Sequence, residues 1–127
     1  MDNIVIKMER NTRGYQGPHY SLTIFGDGTV TYEGSSGVKT QGKRTAHLDE
    51  SRIQELIKEF MNLYYFDLED RYEEPAGSNQ PTVTTFIKIG DKSKSIFHIR
   101  GSRAPSGLLR LEDKIDKITN SNQWTGL

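Results

Sequence analysis

Three histidines, a run of carboxylates, a handful of serines and a basic hairpin are the residues of this chain whose types could do chemistry. His19, His47 and His98 are the only histidines. None stands four residues from another on a helical segment or beside a second ligand type at metal-binding spacing, so a metal ion would need the fold to bring all three together. Asp67, Glu69, Asp70, Glu73 and Glu74 form an acidic stretch broken by Arg71. Paired carboxylates do acid–base work only where burial beside apolar walls raises one pKa, and neighbouring acids are ordinarily a solvated face. Ser21, Ser95 and Ser106 lack the Gly-x-Ser-x-Gly elbow that activates a serine nucleophile. Gly26-Asp27-Gly28 supplies one carboxylate where a calcium loop needs several oxygens, and precedes a strand where a phosphate loop needs a helix. The expectation is therefore no catalytic, metal-binding or cofactor-binding residue.

Binding surfaces remain. A hairpin around Gly90-Asp91-Lys92 places Phe86, Lys88, Lys94, Ile96, His98 and Arg100 on one outward face, where the cations suit a phosphate backbone and the ring suits a stacked base. Seventeen Lys and Arg balance seventeen Asp and Glu, which argues against strong nonspecific attraction to nucleic acid. A polar, extended segment carrying Lys39, Lys43 and Arg44 reads as an edge strand able to accept a partner strand, although lysines at an edge also guard against pairing. A non-catalytic protein-binding or accessory module is the first expectation. Anion or nucleic-acid binding through the basic hairpin is the second, and a small hydrolase-type enzyme the last.

The elements that must position these residues follow from patterning. Ile4, Ile6 and Met8 alternate as a first strand. From Gly17 to Gly34 two alternating arms meet at Gly26-Asp27-Gly28, a three-residue loop with Gly28 left-handed, which sets Ile24 opposite Val30 and Leu22 opposite Tyr32, on one face with Tyr20. A Gly-Ser-Ser-Gly turn at 34–37 leads to a strand from about Val38 to His47. Asp49 caps a helix, with Leu48 as a staple on Ile53, and Ile53, Leu56, Ile57, Phe60 and Leu63 form its apolar stripe. Tyr64, Tyr65, Phe66 and Leu68 read as the packed exit of that helix, and residues 73–80 as an exposed loop. In the second hairpin a three-residue loop groups Val83, Thr85, Ile87 and Ile89 with Ser95, Phe97 and Ile99 on the core face. After Ala104-Pro105, a last helix presents Leu108, Leu111, Ile115 and Ile118, pairs Asp113 with Lys117 on its outer side, and is followed by Trp124 as an anchor. The fold class is α+β: an antiparallel β-sheet built from two hairpins plus flanking strands, with two helices packed on one face.

At 127 residues without cysteine, residues 1–127 read as a single domain with no disulfide or thiolate chemistry. No leader or membrane-spanning run is apparent, so a soluble cytoplasmic protein with no membrane partner is expected. Pro18 and Tyr20, Asp27 to Gly34, then Ala104, Pro105, Leu108, Leu111, Glu112, Ile115, Asp116 and Trp124 together resemble an uncharacterised prokaryotic family, a domain of unknown function. Many similar members carry Cys-x-x-x-Cys-Pro-x-Tyr at the hairpin entrance, where this chain has Arg13 and Gly17. The resemblance implies the same fold without a thiol role, and carries no activity.

Overall fold

The computed structural model describes residues 3–12, 17–77 and 80–127. Arg13 and part of the loop at 73–80 lie outside these residues. Seven strands form one sheet: β1 (Ile4–Asn11), β2 (His19–Phe25), β3 (Thr29–Ser36), β4 (Gly42–His47), β5 (Arg71–Tyr72), β6 (Thr82–Ile89) and β7 (Lys92–Ile99), in the order β4-β3-β2-β1-β6-β7-β5. All neighbours are antiparallel except β5, which runs parallel to β7 over two residues. The helices are α1 (Glu50–Asn62), α2 (Ser106–Thr119) and the short α3 (Asn122–Thr125).

Alternation decides the two faces. Ile6 and Met8, then Tyr20, Leu22 and Ile24, then Val30 and Tyr32, then Val83 and Ile87, and finally Ile96 are buried, and they join one cluster with Ile53, Leu56 and Phe60 of α1 and Leu108, Leu111 and Ile115 of α2. The helices thus cover the face that these strand residues share, and the residues between them in sequence face away. Lys114 ties α2 to α1 through Glu55 and Glu59, both at 3.0 Å, a surface contact of small energetic weight. Tyr65 follows α1 into the core and its hydroxyl pairs with Thr85 Oγ1 at 2.8 Å, whereas Tyr64 lies in the left-handed region and is exposed.

The first hairpin has the expected register: Ile24 pairs with Val30 and Leu22 with Tyr32, and Gly28 has φ +96°. The second does not. Ile89 pairs with Lys92, so the loop is the two residues Gly90-Asp91, with positive φ at Gly90. A three-residue loop ends in a left-handed residue, a conformation glycine takes at Gly28 and lysine resists at Lys92. One residue of register turns every side chain of a strand over. Lys94, Ile96 and His98 therefore join Val83, Thr85 and Ile87 on the helix side, while Ser93, Ser95 and Phe97 join Phe86 and Lys88 on the open side.

Other boundaries moved less. Strand β3 continues to Ser36, so the turn lies at 37–41 and β4 begins at Gly42. Asp49 is the N-cap residue of α1 but its side chain makes no capping bond. Asp113 turns to Arg10 rather than to Lys117.

Candidate functional site

Besides the charged surface groove between α1 and α2, two features of the sheet bring polar groups together among the described residues. The first is a row across one end of the helix-covered face, where Arg10 of β1 pairs with Tyr20 of β2 on one side and Val83 of β6 on the other, and Val83 pairs with His98 of β7. Helix α2 lies over this row with Glu112 and Asp116, one helical turn apart and so on one side of the helix. His98 Nε2 and Glu112 Oε2 are 2.6 Å apart, with the side chains 3% and 2% exposed. Asp116 accepts the Tyr20 hydroxyl at 2.6 Å, the Ser121 hydroxyl at 2.6 Å and Arg10 Nε at 2.9 Å. Burial and the Asp116 charge push the Tyr20 phenol well above its ordinary pKa. Burial works against the charge of Arg10, but Asp116, with Tyr20 and Glu112, outweighs it and raises the guanidinium pKa. The His98–Glu112 and Arg10–Asp116 contacts tie helix α2 to the sheet, and His98 Nδ1 is left buried without a hydrogen-bond partner among the described residues.

The second feature is the outer edge of β7. Arg100 N–H donates to Pro81, and Phe97 N–H donates to Asp70 on the far side. Even-numbered residues of β7 therefore bond to β6, and Ser93 and Ser95 turn their N–H and C=O groups outward. Strand β5 occupies the edge only beside Phe97 and His98. Among the described residues the outward backbone groups of Ser93 and Ser95 have no partner. They border a groove of about 640 Å³ lined by Phe66, Asp70, Arg71, Phe86, Lys94 and Phe97 together with the two serines. The Lys94 ammonium donates to the carbonyls of Phe66 and Leu68 and pairs with Asp70 at 3.1 Å. The Arg71 guanidinium lies 4.4 Å from the Phe97 ring centroid and bonds Glu73, which raises its pKa.

The expected site residues thus disperse. Phe86 and Lys88 remain on the open face, joined by Phe97, and Arg100 lies exposed just past β7. Lys94 has moved to the helix side, half-buried, and His98 into the core. Lys43 and Arg44 are in β4, which is an edge strand pairing only with β3 among the described residues. Lys39 precedes that strand: its N–H donates to Thr125 and that of Thr40 to Trp124, so the segment holds the C-terminal helix. His19 and His47 sit near strand ends on other strands, and no three His, Asp or Glu residues gather around a metal position among the described residues. Glu112 and Asp116 were visible in the sequence as helix residues, but their buried partners were not, because the register of β7 hid His98.

A family model for a domain of unknown function, DUF6438, matches residues 5–119. The chain belongs to this family. No curated protein matches it. Within the matched span, Glu112 and Asp116 of α2 meet His98, Tyr20 and Arg10 of the sheet. Tyr32 and Gly34 belong together for a steric reason: the Tyr32 hydroxyl crosses over Gly34 to donate to Thr40 O at 2.8 Å, and a Cβ at 34 would collide with it. Trp124 lies beyond the span and stacks on Tyr32 at 5.0 Å between centroids. No helix among the described residues is long and apolar enough to cross a membrane.

Proposed function

We propose that this chain is a non-catalytic protein-binding module that takes an extended segment of its partner as an added strand along β7. The observation that carries this reading is the pair of outward-facing, unpartnered residues Ser93 and Ser95 beside a groove with three phenylalanines. Strand addition uses such backbone groups for affinity and neighbouring pockets for specificity. From Lys92 to Ile96 the open edge is about 13 Å long at ~3.3 Å per residue, room for a segment of about five residues. Opposite Ser93 and Ser95, partner side chains would lie on the open face near Phe86 and Phe97, and the residue between them would face Phe66 and Lys94. The tight titratable groups of the molecule, His98 and Glu112, support a binding rather than a catalytic reading because they are closed off from solvent.

Nucleic acid on the open sheet face is the weaker reading. That face holds Phe86 and Phe97, but Lys7 already stands 5.6 Å from the first ring centroid and Arg71 covers the second. A base would have to displace both cations to stack.

The test is proline substitution at the two edges, read by fluorescence polarisation with a labelled β-branched pentapeptide. Ser95→Pro removes an outward N–H without touching the β6–β7 ladder, as an edge position permits. Binding should fall at least about tenfold in Ser95→Pro, the loss of roughly one net hydrogen bond with local mismatch. Unchanged binding in Ser95→Pro together with loss in Thr45→Pro would move the site to β4 and overturn the assignment.

A further inference from the structure

We propose that the segment docked on β7 is acidic, with a carboxylate facing Lys94 that takes this lysine from Asp70; this rests on strand addition at β7. Lys94 is an unusual cation for a sheet edge. Its side chain is only 14% exposed, and two backbone carbonyls, those of Phe66 and Leu68, hold its head in place on the wall of the groove. An ammonium has three donors, and the third goes to Asp70, whose own side chain is 81% exposed. A pair with one end in water is weak and readily exchanged, so Asp70 holds the place of an incoming anion without blocking it.

In an added strand, the residue opposite Lys94 lies on the same face as Lys94, between the two residues that bond Ser93 and Ser95. A strand laid there removes water from Lys94, which raises the cost of an unmatched neighbour and strengthens a matched one. A lysine at that position would face the fixed ammonium directly. Lys88 and Lys92 add to the field: neither makes an ion pair among the described residues, and Lys92 stands 5.8 Å from the Phe66 ring centroid. Asp67 and Glu69, on the same segment as the two carbonyls that hold Lys94, oppose that field, as do Asp91 in the turn and Glu73 on Arg71; of these neighbouring acids Asp70 is the one paired with Lys94.

Three labelled pentapeptides, Thr-Val-Glu-Val-Thr and its central Gln and Lys counterparts, with blocked ends, test the proposal on the full chain. The Glu peptide should bind about tenfold tighter than the Gln peptide, the margin of a charge-assisted over a neutral hydrogen bond, and the Lys peptide weakest. Asp70→Asn, a change at an exposed side chain, should tighten the Glu peptide and leave the Gln peptide unchanged, and Lys94→Met should erase the difference between them. Equal binding of all three peptides, still lost in Ser95→Pro, would overturn the acidic preference and leave strand addition standing. Binding of no peptide, or of a single-stranded oligothymidylate in their place with steep salt dependence, would overturn both.

Discussion

Strands β4 and β7 each turn a row of backbone groups outward, yet their side chains treat those rows differently. On β4, Leu48 N–H donates to Gly28, so Lys43, Thr45 and His47 face away from the sheet. Every residue of that strand except Ala46 is exposed, and Arg44 folds its guanidinium onto the Lys43 carbonyl at 2.7 Å. Exposed cations and a self-capped carbonyl are the ordinary guard of a free edge. On β7 the outward residues are serines, the nearby lysine is tucked inward onto carbonyls, and phenylalanines line the adjoining groove. Solvated charge guards the edge at β4, whereas at β7 the nearby charge is held beneath the edge.

Each edge also hangs from its own anchor, and breaking the anchors is the strongest way to separate the two regions. Glu112→Ala leaves His98 buried beside an empty position and should cost about 3–5 kcal/mol in denaturant unfolding, with β7 amides losing protection first. Trp124→Ala removes the ring stacked on Tyr32 next to the segment that leads into β4, and should cost about 3 kcal/mol, with the β4 side loosening first. Equal loss at both edges in either variant would show that the anchors are not local.

Smaller changes sharpen the contrast. Tyr20→Phe deletes the phenol donated to Asp116 and should cost about 1–2 kcal/mol. It should also flatten the alkaline limb of stability. The folded pKa values of Tyr20 and Tyr65 are raised, both mainly by burial, above the ordinary value of 10.0. Their contribution is thus complete below pH 10.0 and lost as pH rises from there through the folded values. An alkaline limb in Tyr20→Phe identical to that of the parent would remove Tyr20 from this account. The smallest expected effect is in Arg44→Ala, within about 0.5 kcal/mol of the parent. Its informative readout is sedimentation, where the uncapped β4 edge should favour self-association.

Much of this arrangement was legible in the residues. The first hairpin was readable to single-residue register because Gly28 is the residue its loop needs in the left-handed region. Gly90-Asp91-Lys92 looks like the same loop, but its third residue is lysine, and that difference shortens the turn by one. With the register went the basic face: Lys94 and His98, placed outside by the longer loop, lie on the helix side. The stripes of α1 and α2 were plain from their spacing. Asp116 and Glu112 were not recognisable as buried partners, since nothing local in a helix tells which polar residue meets a sheet row brought together from four strands. The groove at β7 was hidden for a similar reason: it needs Phe66 and Asp70, distant in sequence, beside Ser93 and Ser95.

Amide hydrogen exchange, measured residue by residue with and without a saturating Thr-Val-Glu-Val-Thr peptide, tests the assignment of the binding edge most directly. The account predicts that the Ser93 and Ser95 amides, fast in the free chain, slow on binding while those of Lys43, Thr45 and His47 do not. Protection gained on β4, with Ser93 and Ser95 unchanged, would contradict it.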